Sequence, residues 1–219
     1  MGDLHNVVAH ILEARNSVPS QRSVLVAITG IDGCGKGYVT ARIVNRLEAK
    51  HVHAVAVNVD GWLNLPNRRF NPASPGEHFY LHAIRFDEMF AQLVLPLRDR
   101  RSLRCEANYA EETATQYRRH IYDFQDVDVI VLEGIYLLKR AYRLHYDLSC
   151  WIECSFETAL ERALSRGQEG LPPEETVRAY RTIYFPAQEI HLQRDDPKGA
   201  VTLIVNNDAR LGPGVDTEG

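Results

Sequence analysis

A glycine-rich loop between an apolar strand and an amphipathic helix is the feature that most constrains this fold. Residues 30–36 read GIDGCGK, which satisfies the pattern GxxxxGK. The preceding residues 23–29 (SVLVAIT) are rich in β-branched side chains, as in a strand that is buried on both faces. The following residues 38–50 carry apolar side chains at helical spacing. Such a strand–loop–helix unit binds phosphate, because its backbone N–H groups and the positive end of the helix dipole converge.

The rest of the chain alternates predicted strands with predicted helices, which indicates a parallel sheet with helices on its faces. Four further strands are predicted at residues 53–59, 127–132, 148–154 and 201–205. Helices are predicted at residues 1–20, 79–98 and 156–165. Residues 101–122 lack a helical period, and either a β-hairpin or a loop excursion fits them. A single domain spanning residues 1–219 accommodates these elements, with residues 209–219 as a flexible tail.

Charged side chains stand where the predicted strands end. Lys36 closes the glycine loop, Asp60 ends the second strand, and Glu133 ends the third long strand. Ligands bind at the carboxyl ends of parallel strands, so we expect these groups to meet at one edge. Asp60 is suited to accept the proton of a hydroxyl nucleophile. Glu133 is suited to hold the water molecules that surround Mg²⁺. Taken alone, either carboxylate fits equally well as the cap of a turn or helix.

Position 37 departs from the usual phosphate-loop pattern. A Ser or Thr normally follows the lysine and ligates Mg²⁺ through its hydroxyl, but Gly37 occupies this place. Thr40 lies nearly a turn further along the predicted helix and cannot easily replace that hydroxyl. Two interpretations follow. Either other groups hold the metal, or the chain is a nucleotide-binding regulatory protein with impaired catalysis.

The overall composition argues against several classes of protein. A formal net charge of −4 does not provide the basic surface typical of nucleic-acid binding. No apolar run approaches the length of a bilayer span, and residues 1–17 lack the apolar segment of a signal peptide. The four cysteines form no CxxC pair, so neither a zinc site nor a disulfide framework is indicated. We expect a cytoplasmic protein without a nucleic-acid or membrane partner, and homo-oligomerisation stays open.

Taken in order, these motifs resemble the uridine kinase and phosphoribulokinase family of P-loop kinases. The resemblance runs from about Ser23 to Asp208 and rests on four segments: GIDGCGK, VDGW, LEGIYLL and ALERALSRG. A weaker marker is RTIYFPAQEIH at residues 181–191. The resemblance implies a three-layer α/β P-loop fold, as in nucleoside and nucleotide kinases, with a mostly parallel sheet and a small lid. It also implies transfer of the γ-phosphoryl group of ATP to a hydroxyl of a small molecule.

The resemblance assigns roles to particular residues, with ATP and Mg²⁺ as cofactors. The nucleotide is expected to contact nine consecutive loop residues: Gly30, Ile31, Asp32, Gly33, Cys34, Gly35, Lys36, Gly37 and Tyr38. The catalytic residues are expected to be Lys36, Asp60 as the base, and the lid arginines Arg162 and Arg166. Asp60 and Glu133 are the expected metal-site acids. The acceptor is expected to contact Asp60, Phe79, Tyr80 and Tyr109, although packing roles fit Phe79 and Tyr80 nearly as well.

The departures from the family pattern concern the acceptor. Uridine kinases carry an aspartate two residues before a Phe-Asp pair, and here Ile84 takes that place. The Tyr-Asp pair of the nucleoside hairpin becomes Tyr109-Ala110, and the histidine that follows it has no clear equivalent. The phosphoryl-transfer residues are therefore better matched than the nucleoside-binding ones. A nucleoside, a sugar or sugar phosphate, or a pantothenate-like alcohol all remain candidate acceptors, and a nucleotide hydrolase is a weaker alternative.

Overall fold

The computed structural model describes residues 4–167 and 170–212. Within them the strands are β1 (Val24–Gly30), β2 (Ala54–Asn58), β3 (Leu103–Tyr109), β4 (Arg118–Phe124), β5 (Val129–Gly134), β6 (Leu148–Glu153) and β7 (Leu203–Asn206). The α-helices are α1 (Leu4–Ser17), α2 (Lys36–Glu48), α3 (Pro66–Arg69), α4 (Pro75–His82), α5 (Phe86–Met89), α6 (Leu95–Arg100), α7 (Phe156–Arg166), α8 (Pro173–Ala179), α9 (Phe185–Asp195) and α10 (Pro197–Ala200). Single turns of π-helix cover Phe90–Val94 and Tyr180–Tyr184, and 3-10 turns cover Val59–Gly61, Arg143–His145 and Ala209–Leu211.

Five of the strands form one parallel sheet in the order β2-β5-β1-β6-β7. β1 lies at the centre, where Ile28 is opposite Glu133 of β5 on one side and Cys150 of β6 on the other. This register brings the carboxyl ends of β1, β2 and β5 to one edge of the sheet. The predicted parallel α/β architecture is therefore confirmed, and so is the meeting of these three strand ends.

Each face of the sheet is covered by helices, which makes three layers. Leu25 and Ala27 of β1 join an apolar core that includes side chains of α4, α5 and α9. Val24 and Val26 point to the opposite face and join a core built with α1 and α2. Burial on both faces explains why these strands are continuous apolar runs rather than alternating ones.

The helix predicted over residues 79–98 is interrupted. α4 ends at His82, and a new helical segment begins at Phe86 and continues through the π-helical turn to Arg100. The break arises because Ile84 forms an antiparallel bridge with Leu63, and the Arg85 N–H donates to the carbonyl of Trp62 (2.9 Å). A contact between distant segments therefore overrides a continuous helical period.

The segment with two open interpretations, residues 101–122, contains a β-hairpin. β3 and β4 pair antiparallel, with Ala107 opposite His120. The hairpin packs on the domain through Tyr122, whose ring stacks on Trp62 at 5.9 Å. Its base thus lies beside the turn that carries Asp60.

The described chain begins with a helix and ends with a 3-10 turn. α1 occupies Leu4–Ser17 of the predicted amino-terminal helix. Residues 209–211 form a 3-10 turn, and residues 213–219 of the predicted tail lie outside the described residues. In the described part of the chain, no helix combines the length and apolar character that a membrane crossing requires.

Candidate active site

The glycine loop between β1 and α2 lies so close to its neighbours that two of its positions have no room for a side chain. Gly33 has a φ of 76°, and a Cβ there would lie 2.5 Å from the carbonyl oxygen of Ala159. Gly35 precedes the first residue of α2 with a φ of 89°, and a Cβ there would lie 2.3 Å from Asn207 Nδ2. Only glycine fits both the left-handed backbone and the space at these positions. The loop therefore presents backbone at the amino end of α2, where a helix favours anions.

Arg162, predicted as a lid residue, supports this loop from behind. Its guanidinium donates to the carbonyl oxygens of Cys34 (3.1 Å) and Asn207 (2.8 Å). The Asn207 side-chain amide donates to the same Cys34 oxygen (2.8 Å). These bonds fix the loop conformation. Arg162 is not among the residues that line the adjacent cavity.

Lys36 is a buried cation at the start of α2. Its side chain is 8% exposed, and its Nζ donates to the carbonyl oxygen of Ile31 (2.9 Å). Burial acts to lower the pKa of Lys36, but acidic neighbours, including Asp32 and Glu133, outweigh it and raise the pKa above its ordinary value. Lys36 therefore stays charged at neutral pH.

Asp60 and Glu133 are connected through Asn58 at the ends of β2 and β5. The Asn58 side-chain oxygen accepts from the Asp60 N–H (2.7 Å) and starts the 3-10 turn Val59–Gly61. The Asn58 amide nitrogen lies 3.5 Å from Glu133 Oε2. This asparagine was not among the predicted site residues, although its position at the end of a strand is the same signal that identified Asp60.

Both carboxyl groups hold protons more tightly than free ones. Asp60 reaches solvent through an open cavity, but protein atoms surround it on most sides, and this burial raises its pKa, with Asp32 adding to the rise and Lys36 opposing it. Burial also raises the pKa of Glu133, against the effect of Lys36. A carboxylate with a raised pKa is a better proton acceptor at neutral pH.

Most of the predicted site residues line one cavity of about 350 Å³. The predicted residues that line it are Asp32, Gly33, Gly35, Lys36, Gly37, Tyr38, Asp60, Phe79, Glu133 and Arg166. Arg166 lies at its edge, with Nη2 3.8 Å from Asp32 Oδ1. The phosphate loop, two carboxylates and a second cation therefore share one space.

The three predicted acceptor aromatics occupy different places. Phe79 lines the cavity and packs edge-on against Tyr184 at 5.0 Å. Tyr109 lines a second recess of about 380 Å³ that also borders Asp60. Tyr80 lines neither of these spaces. Its hydroxyl donates instead to Asp195 (2.6 Å) in a buried polar cluster.

Several other cavity residues were not predicted. They are Leu63, Glu112, Gly134, Ile135, Tyr184 and Gln188. Tyr184 and Gln188 belong to the segment RTIYFPAQEIH. This segment is a family marker in the sequence, but no role was assigned to either residue. The second recess adds His120, whose ring lies 5.1 Å from that of Tyr109 because β3 and β4 pair there.

The part of the chain that carries the phosphate loop and both carboxylates matches a known family. The model of the phosphoribulokinase / uridine kinase family matches residues 25–170. The chain belongs to this family. It is therefore a P-loop kinase, an ATP-dependent phosphotransferase that acts on a hydroxyl of a small molecule.

Individual relatives are distant. A uridine kinase of Ureaplasma parvum serovar 3 is 24% identical over 192 residues, which cover 86% of this chain and 91% of that protein. A protein described as a possible uridine kinase, from Bacillus stearothermophilus, has a TM-score of 0.70 at 13% identity over 92% of this chain and 98% of its own. The D-glycerate 3-kinase of Cryptococcus neoformans has a TM-score of 0.66 at 11% identity, covering 93% and 95% of the two chains. At these identities the solved structures support the fold only.

The carboxylates of this P-loop kinase fit a hard cation such as the Mg²⁺ that usually accompanies ATP. Asp60 and Glu133 offer oxygen atoms to the cavity, which is the ligand type that Mg²⁺ prefers. No group of three or more His, Cys, Asp or Glu side chains within residues 4–167 and 170–212 forms a metal cluster. Mg²⁺ keeps several waters and also binds substrate phosphates, so two carboxylates are sufficient.

Proposed function

We propose that this kinase phosphorylates a nucleoside-, sugar- or pantothenate-like alcohol, in the manner of a uridine kinase. The observation that carries the proposal is that Lys36, Asp60 and Glu133 border the same cavity as the glycine loop. A cation, a proton acceptor and a backbone anion site are the groups that phosphoryl transfer needs within reach of one another.

Each residue has a distinct task in this proposal. The backbone of residues 30–38 and the Lys36 ammonium bind the nucleotide phosphates, because both favour negative charge. Asp60 orients the acceptor hydroxyl and takes its proton. Arg166, at the cavity edge, favours the negative charge of the transferred group. Arg162 contributes by holding the Cys34 carbonyl and therefore the shape of the loop.

Asp60 and Glu133 are the residues that would hold Mg²⁺, beside the start of α2. When bound, the ion neutralises charge on the phosphate oxygens. Gly37 supports this placement, because a Cβ at this position would lie 3.7 Å from both carboxylate oxygens of Glu133. The carboxylate thus stands next to the point where a serine or threonine side chain usually begins.

Replacement of Asp60 tests the proposal most directly. Asp60→Asn keeps the shape of the side chain and removes the proton acceptor, so turnover should fall by about a hundredfold or more while ATP affinity changes little. The measurement is ADP formation with uridine, D-ribose, D-glycerate and pantothenate as acceptors, alongside calorimetry of ATP binding. An unchanged rate with the preferred acceptor would place the base elsewhere. Nucleotide binding without transfer to any acceptor would favour a regulatory role.

A further inference from the structure

One helical face connects the phosphate loop with the wall of the cavity. Tyr180, Tyr184 and Gln188 follow one another at intervals of four residues through the π-helical turn into α9, and each is less than 10% exposed. Tyr180 donates its hydroxyl proton to Asp32 Oδ2 of the loop (2.6 Å). Tyr184 and Gln188 line the cavity. Turns of π-helix inside longer helices are frequent at functional sites, because they rotate the side chains that follow.

Gln188 has an unusual environment for a glutamine. It is 1% exposed, and neither its Oε1 nor its Nε2 has a hydrogen-bond partner among the described residues. An unpaired buried amide is destabilising, so almost all such groups in folded proteins have a partner. The side chain forms part of the cavity wall. Its amide atoms are almost inaccessible to solvent, so the amide must rotate towards the cavity when it contacts a bound molecule.

Two nearby orphan groups differ from Gln188 in this respect. Tyr136 Oη and His191 Nε2 also lack partners in the described chain, and the two rings lie 5.4 Å apart. Neither residue lines the cavity. Of these three residues, Gln188 is thus the one whose side chain forms part of the cavity wall.

The charged side chains of the cavity disfavour an anionic acceptor. Asp60 and Glu112 both border it. Arg69 is nearby but 1% exposed, and its guanidinium is bound to the side chain (3.3 Å) and main-chain oxygen (2.5 Å) of Glu112. The cations that line the cavity in the described chain, Lys36 and Arg166, lie beside the phosphate loop. A phosphate or carboxylate on the acceptor would therefore meet carboxylates without a cation of its own.

We propose that Gln188 is a specificity-determining residue that hydrogen-bonds an uncharged polyhydroxyl acceptor, such as a sugar or the ribose of a nucleoside. This inference rests on the proposed function and names the substrate class for the same site. A carboxamide offers one acceptor and two donors side by side, and adjacent hydroxyls both donate and accept. The aromatic side chains Phe79 and Tyr184 give the apolar wall on which a sugar face packs.

Three variants test the role of Gln188. Gln188→Met removes both polar atoms at similar volume, and Gln188→Glu adds a charge in the same shape. Gln193→Met makes the same change at an exposed position of α9 and is the matched control. The measurements are ADP formation with uridine, D-ribose, D-glycerate and D-ribose 5-phosphate, calorimetry of ATP binding, and the melting temperature of each protein.

We expect uridine or D-ribose to be preferred by the wild type. Gln188→Met should raise the KM for that acceptor about tenfold, since it removes about two hydrogen bonds, and leave ATP binding unchanged. It should not lower the melting temperature, because no protein partner loses a bond. Gln188→Glu should raise the KM as well. A purely structural role predicts the reverse, namely a lower melting temperature with an unchanged KM.

The outcomes separate the two proposals. A preference for D-glycerate or D-ribose 5-phosphate, or a KM in Gln188→Met equal to that of Gln193→Met, overturns the inference and leaves the kinase assignment in place. Absence of turnover with every probe, despite ATP binding, overturns the proposed function instead. In that case the inference is decided by binding. A rise in the wild-type melting temperature with uridine or D-ribose that Gln188→Met abolishes supports it, and no rise overturns it.

Discussion

The replacement Gly37→Ser examines the position at which this chain departs from other phosphate loops. A Cβ at residue 37 would lie 3.7 Å from Glu133 Oε1 and Oε2, which is ordinary van der Waals contact. The serine hydroxyl extends one bond further and comes within hydrogen-bonding range, about 2.5–3.0 Å, of that carboxylate. The backbone of Gly37 is not in the left-handed region, so the fold should accept the side chain.

The expected gain is modest. A hydroxyl that replaces one water of the bound Mg²⁺ contributes about 0.5–1.5 kcal/mol, which is comparable to the net value of one hydrogen bond in a protein. This corresponds to a half-saturating Mg²⁺ concentration lower by about twofold to tenfold. Replacing a glycine within the first turn of α2 should also raise the free energy of unfolding by about 0.5 kcal/mol.

The assay is a Mg²⁺ titration of ADP formation at fixed ATP, with the preferred acceptor. Gly37→Ala is the matched control, because it adds the Cβ without a hydroxyl and also stabilises the helix, by about 1 kcal/mol. We expect the Mg²⁺ requirement of Gly37→Ala to equal that of the wild type. Equal titration curves for the serine and alanine variants would refute the idea that residue 37 faces the metal site.

Three further results are expected. In the protein without Mg²⁺, burial should hold the pKa of Asp60 above the ordinary carboxylate range, and a carboxyl ¹³C NMR titration that gives a pKa of about 4 would contradict this. Gly33→Ala should weaken ATP binding measured by calorimetry, because its Cβ would lie 2.5 Å from the Ala159 carbonyl oxygen, and unchanged affinity would count against a rigid loop. Asp195→Asn should lower the free energy of unfolding by about 2 kcal/mol at pH 7, because hydrogen bonds from His191 and Tyr80 overcome the effect of burial and lower the Asp195 pKa to about 2. That stabilisation is complete above about pH 4 and disappears as the pH falls to about 2, so urea unfolding across this range should show the difference vanish.

The nucleotide side of the site could be predicted because its signals are local. Residues 30–36 specify the loop by themselves, and apolar runs buried on both faces identify the strands that carry it. Once the strands are parallel, Asp60 and Glu133 must lie near the loop, because the carboxyl ends of neighbouring parallel strands share one edge. Proximity at this edge therefore follows from topology alone.

The acceptor side could not be predicted in the same way, because it depends on contacts between distant segments. Phe79 and Tyr80 are neighbours in sequence, yet Phe79 lines the cavity and Tyr80 donates to Asp195 in a separate cluster. A helical period states which residues share a face but not which partner that face meets. Nothing in the sequence pointed to a binding role for Gln188, since an isolated glutamine in a helix is usually exposed.

Arg162 and Arg166, one turn apart in α7, also show that the sequence predicts a shared helix face but not the contacts of each residue. Both were expected to act on phosphates, and their spacing of four residues places them on one side of the helix. Arg162 is close enough to bond the loop backbone at Cys34, whereas Arg166 at the last turn reaches Asp32 and the cavity. One helical turn therefore separates Arg162, which fixes the loop conformation, from Arg166, which lines the cavity.

Asp32 joins the two sides of the site. Its Oδ1 accepts from the Gly33 N–H (2.9 Å) and faces Arg166, while its Oδ2 accepts from Tyr180 at the start of the face that ends at Gln188. One carboxylate of the phosphate loop therefore also anchors the helix that lines the cavity through Tyr184 and Gln188.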